Sequence, residues 1–211
     1  MTEDFLAHSG ALFTAYGAYV IGVASPGPAN LAIASTSVSQ GRRNGLLLAM
    51  GVILGSAIWG IVAAFGLSAT LMTLGWAFTA LKIVGGIYLL WLAVNSFRSS
   101  LRSDSMPMPQ PSEKTRNYFL RGLLLHLTNP KAVFVWLAII ALGLKPDSPL
   151  WMTFAILIGC EILGLLIFGG YALLFSTNTA IRAYARLRRG LEAFMALAFG
   201  IAGIKLLTAR L

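Results

Sequence analysis

The stretch ASPGPANLAIASTS, residues 24–37, places Pro26, Gly27 and Pro28 inside a run otherwise apolar enough to cross a membrane. A proline within a helix lacks an amide proton and pushes away the carbonyl four residues earlier. Pro26 and Pro28 would therefore free the carbonyls of Gly22 and Ala24, at a depth where lipid offers no hydrogen bond. Irregular backbone there is tolerated only against protein or a wet cavity. The stretch predicts a broken helix beside a polar site.

The rest of the chain supports a membrane setting. Its 211 residues are 57% hydrophobic and 11% charged, with a mean hydropathy of +0.79, far from the composition of soluble domains. The first residues, MTEDFLAHSG, carry no Lys or Arg, so a cleaved secretory signal is not expected. A single cysteine, Cys160, excludes an internal disulfide, a CxxC redox pair and a cysteine-based zinc site. The net charge of +9 sits in connections between apolar spans and not along a soluble basic face, which argues against nucleic acid as a partner.

A helix needs about 20 mostly apolar residues to cross the hydrocarbon core. By that measure the sequence predicts an all-α integral membrane protein with six transmembrane helices, near 11–40, 45–66, 70–97, 118–144, 150–175 and 190–209. Three fall in a first unit (1–97) and three in a second (118–211), separated by a linker (98–117) whose RSDSMPMPQPSEKTR is rich in proline and charge. Eleven Lys and Arg lie in the connections on one side, against Lys145 and Arg210 on the other. The positive-inside bias makes the crowded side cytoplasmic and places both termini outside.

An odd number of spans per unit forces the second copy to insert upside down, giving a 3+3 inverted-topology repeat. Setting Pro28 against Pro130 also sets Gly41 against Gly143 and SPGPAN against LTNPKA. Helices 1 and 4 are thus both expected to break at midplane prolines, Pro130 freeing the carbonyl of His126. The half-helices that follow would converge from opposite faces, their amide ends suited to a carboxylate. The carbonyls ending the preceding half-helices could accept from an ammonium group. The expected substrate contacts are Ser25, Pro26, Gly27, Pro28 and Asn30 in the first break, with Thr128, Asn129, Pro130 and Lys131 in the second.

Charge buried near midplane costs about 2.5–3.5 kcal/mol even on lenient scales, which singles out Lys131 and Glu161. They are expected either to pair with each other or to serve coupling, with Glu161 carrying a proton. Lys82 lies about a third of the way into its span and either snorkels or functions. His126 has a range suited to proton relay, although a hydrogen bond to a neighbouring carbonyl is the better explanation of it. Glu192, just after RLRRG, is expected at the cytoplasmic interface with those arginines, and Lys205 snorkels outward.

With SPGPAN and QGRRNG in the first third and TNPKA in the fourth span, the chain resembles the LysE/RhtB family of amino-acid exporters over nearly its whole length. The resemblance implies efflux of small amino acids or derivatives across the bacterial inner membrane in exchange for protons. It carries over to Pro26, Gly27, Pro28, Asn129, Pro130 and Lys131; Glu161 and Lys82 rest on burial alone. No cofactor, enzymatic role or metal is expected, since GxxxxGK[ST] and any nucleophile–base or metal constellation are lacking. The substrate, protons and the lipid bilayer are the expected partners, and the sequence leaves room for a homo-oligomer. The rival readings are a transporter of another small solute or cation on this scaffold, and a non-transporting membrane subunit.

Overall fold

The computed structural model describes residues 2–25, 27–73, 75–101, 117–145 and 148–208. Within them the chain forms eight helices: α1 (Thr2–Ala24), α2 (Pro28–Gln40), α3 (Arg42–Thr73), α4 (Gly75–Leu101), α5 (Tyr118–Leu127), α6 (Pro130–Gly143), α7 (Leu150–Leu174) and α8 (Asn178–Thr208). Among the described residues, Arg42–Gly66, Leu150–Leu174 and Arg189–Thr208 are each long and apolar enough to cross a membrane. The pair α5 and α6, bent by 61°, makes a fourth when taken as one span. Apolar side chains such as Ile158, Leu166, Leu197 and Ile201 point outward, as lipid contact requires.

Helix ends follow local chemistry. α2 and α6 each begin on a proline, tolerated in a first turn because the missing amide proton would have no partner there. α2 stops at Gly41, whose φ of 87° lies in the left-handed region that glycine enters without penalty. α4 continues to Leu101, and α8 starts at Asn178, well before the apolar run expected from residue 190. The segment between holds Ala, Arg and Leu, all good helix formers, so the helix continues past its apolar part. Most of the expected linker, residues 102–116, lies outside the described residues, as does Pro26.

Small residues set the helix packing. A β-carbon added to Gly122 would lie 2.1 Å from the Leu48 carbonyl oxygen, and one on Gly51 would lie 2.0 Å from that of Phe119. α3 and α5 therefore touch backbone to backbone, the close approach that small residues permit in membrane bundles. α4 lies along α8, while α7 lies on α1 and α3. The main core joins α1, α6 and α7 through Tyr19, Trp136, Ile139 and Ile156. A second cluster holds α2 against α3 through Ile33, Leu48 and Val52.

Candidate functional site

The end of α1 is a complete account of backbone acceptors. A helix leaves its last carbonyls without intrahelical donors, and here side chains from three other helices supply them. The Ser25 hydroxyl donates to the Gly22 carbonyl at 2.9 Å. Asn30 Nδ2, from α2, donates to Val23 O at 2.7 Å and to Ser25 O at 3.0 Å. Tyr171, from α7, donates to Ala24 O at 2.9 Å. Lys131 Nζ, from α6, donates to Ser25 O at 2.9 Å and to the Ser25 hydroxyl oxygen.

At the second interruption the Asn129 amide donates to His126 O at 3.1 Å. Its side-chain oxygen caps α6 by accepting from the Lys131 amide at 3.1 Å. The Thr128 hydroxyl turns back to Leu124 O at 2.8 Å on an exposed face. α2, by contrast, has Gly27 at its N-cap and so no side-chain cap. A β-carbon on Gly27 would meet Lys131 Nζ at 3.1 Å, so the bare glycine makes room for the ammonium group.

The carbonyls expected to be open to a guest, those of Gly22, Ala24 and His126, thus each have a donor within the protein. The break is sealed by side chains, and the Ser25 carbonyl accepts two bonds. Substituting Asn30 should be costly. Asn30→Ala removes both donations; Ser25 O keeps its bond from Lys131, but Val23 O is stranded, a loss worth about 1–3 kcal/mol. Asn30→Asp should be worse, because it sets a carboxylate against two carbonyl oxygens. Thermal unfolding of the purified protein checks the order: wild type, then alanine, then aspartate.

Two cavities flank the joint, and Ser25, Gly27, Asn129 and Lys131 line both. The inner one, about 30 Å³, is lined also by Asn30 and His126. Asn30 Oδ1 and His126 Nδ1 are buried without a hydrogen-bond partner among the described residues, and a cavity of that size suits water. His126 is otherwise held edge-on to Phe168, ring centroids 5.8 Å apart. The other cavity, about 330 Å³, runs from the starts of α2 and α6 along α4 to Glu192 on α8.

Glu161 lies apart from Lys131. Both its carboxylate oxygens are buried with no hydrogen-bond partner among the described residues. Its neighbour is Ser56, which also receives Trp136 Nε1 at 3.1 Å and contacts the Tyr19 hydroxyl at 3.2 Å. The ion pair weighed for Lys131 and Glu161 is replaced by the Lys131 to Ser25 contact. α7 lies against α1 and α3, so following α6 in the chain does not bring Glu161 to Lys131. The Lys82 side chain, like Pro26, lies outside the described residues.

The model of the LysE type translocator family matches residues 20–210. The chain belongs to this family. Among its relatives, the threonine efflux protein of Escherichia coli (strain K12) is 28% identical over 198 residues, covering 91% of this chain and 95% of the relative. The threonine efflux protein of Salmonella typhi is 29% identical over 94% of this chain and 98% of its own length. The leucine efflux protein of Enterobacter sp. (strain 638) is 32% identical over 57% of this chain and 59% of its own. No solved structure matches significantly.

One residue of this translocator is expected from the sequence only as an interfacial partner of arginines. Glu192 is 5% exposed, accepts from the Ser99 hydroxyl at 3.1 Å and lines the larger cavity with Lys131. Its place after four arginines hid it. The signal was its spacing: Glu192, Met195, Phe199 and Leu206, all buried, recur at the three- and four-residue steps of one helix face.

Proposed function

We propose that this chain is a secondary active transporter exporting small amino acids or their derivatives across the bacterial inner membrane, by proton antiport and alternating access. The names of its relatives support the cargo class. The observation that carries the mechanism is the contact of Lys131, from the second half of the chain, with Ser25, from the first, between two cavities. A joint of a few hydrogen bonds separating two hollows is a gate that can part while another closes. It couples the two halves because each supplies one partner.

In this reading, residues 1–97 and 118–211 are two three-span units in inverted topology, joined by a cytoplasmic linker at 98–117, with both termini outside. The 102-residue offset between the starts of α2 and α6 supports it. So does the packing of α3 on α7 and α4 on α8, the pairs of equivalent spans, together with the reciprocal contacts of α3 with α6 and α2 with α7. Rocking of one unit against the other then exposes the site to each side in turn. The drive is a proton: one moving through about 100 mV supplies about 2.3 kcal/mol, enough for a concentration ratio of about 50.

Glu161 is the proton carrier in this scheme. A buried carboxyl whose oxygens have no hydrogen-bond partner among the described residues is costly to leave charged, and taking and releasing a proton resolves that cost on alternate halves of the cycle. Uptake of labelled threonine, leucine and lysine into everted vesicles, with and without a pH gradient, tests the whole reading. Gradient-dependent accumulation of at least one is expected; none at all would sink it. Glu161→Gln should lose the response to the gradient yet retain exchange of labelled for unlabelled substrate. Gradient-driven uptake at the wild-type rate would remove Glu161 from coupling.

A further inference from the structure

The seal at the end of α1 raises a question that the exporter reading leaves open. An amino acid brings an ammonium group as well as a carboxylate, and the carbonyl of Ser25, which lines the larger cavity, already takes two donors. Another anion is needed. Among the described residues lining the larger cavity, Lys131 and Glu192 are the charged ones. Lys131 stands at the start of α6, where the helix field adds to its positive charge. Its ammonium group carries three protons, and the Ser25 carbonyl and hydroxyl take two. Glu192 is oriented by the Ser99 hydroxyl on one oxygen, Oε1.

We propose, building on the exporter reading, that the larger cavity receives a neutral α-amino acid, with Lys131 taking its carboxylate, Glu192 its α-ammonium group, and the Tyr88, Trp91 and Leu92 wall its side chain. One cation and one anion match a zwitterion of zero net charge. A cargo with a second positive group finds no second carboxylate among the cavity's described residues, so lysine and arginine are disfavoured. The wall is already organised: Tyr88 stacks on Trp91 at 5.4 Å between ring centroids and on Phe134 at 4.4 Å. Asn95 and Ser96 add polar groups beside this wall for a side chain that carries a hydroxyl. Glu192 thereby becomes a specificity-determining residue, placed at the arginine-rich end of α8 where cytoplasmic substrate would enter.

The test is equilibrium binding to the full chain in lipid nanodiscs, read as competition against labelled L-leucine and L-threonine. On the wild-type protein, N-acetyl-leucine lacks the ammonium charge and leucine amide lacks the carboxylate. Each should bind about 10- to 100-fold more weakly than leucine, as expected for loss of one charged hydrogen-bonded contact. Lysine should compete equally poorly. Glu192→Gln should weaken leucine by a similar factor and leave N-acetyl-leucine unchanged, abolishing the discrimination between them. Ser99→Ala should weaken leucine only a few-fold. N-acetyl-leucine competing as well as leucine on the wild-type protein would overturn the assignment without any variant having to fold. So would full discrimination retained by Glu192→Gln. If amino-acid transport in vesicles is intact while either result is found, only the Glu192 assignment falls. If no amino acid is bound and none transported, the exporter reading falls with it.

Discussion

Lys131→Ala is expected to lower gradient-driven amino-acid uptake into everted vesicles by about 100-fold or more, at equal protein in the membrane. The side chain makes two charged hydrogen bonds to Ser25, each of a kind worth about 1.5–3 kcal/mol, which is about tenfold to a hundredfold in an equilibrium. Losing both removes the joint between the two halves and the positive charge shared by both cavities. Ser25→Ala isolates part of this effect. It deletes the hydroxyl but keeps the carbonyl that accepts from Lys131 at 2.9 Å, so a reduction of about tenfold or less is expected. Asn30 remains in both variants to hold Val23 O and Ser25 O, and the folded protein should still be recovered. Uptake above half the wild-type rate in Lys131→Ala would show that the joint plays no part in transport.

The largest effect on folding is expected at Gly122. An added β-carbon there lies 2.1 Å from the Leu48 carbonyl oxygen and 3.2 Å from the Leu48 α-carbon. The obstacle is backbone, which cannot swing aside as a side-chain tip would, so α3 and α5 must separate along the whole contact. Overpacking of well-packed positions costs about 1–3 kcal/mol when side chains can adjust. Gly122→Val, against backbone, should exceed about 3 kcal/mol and remove most of the monodisperse protein on size-exclusion chromatography. Gly200→Ala is the matched control, because its new methyl meets only Ala93 at 4.0 Å, and alanine is the better helix former. Equal melting temperatures for Gly122→Val and wild type would mean that the helices do not approach this closely.

These two sites differ in how far the sequence announces them. Lys131 was legible because a charge in an apolar run beside Asn-Pro has few neutral explanations. Gly122 was not, since a glycine in a helical run looks the same whether it faces lipid or a neighbouring backbone. Gly17 has nothing within 4 Å of an added β-carbon and is indistinguishable from Gly122 by local sequence. Glu192 failed for a related reason. Its arginine neighbours suggested an interface, and only the buried face it shares with Met195 and Phe199 turns it inward.

The sequence by itself determined the membrane setting, the helical class, the positions where α2 and α6 begin, and the family. Each of these is a one-dimensional property: hydropathy over a window, a missing amide proton, or a spacing between motifs. Partnership was decided only in three dimensions. Lys131 meets Ser25 and not Glu161, and the carbonyls ending α1 are occupied by Asn30, Tyr171 and Lys131. The physical reason is that a freed carbonyl states a demand for a donor without naming one. Which side chain meets that demand depends on which helices lie against each other, and here α1 lies against α6 and α7, more than 100 residues away along the chain.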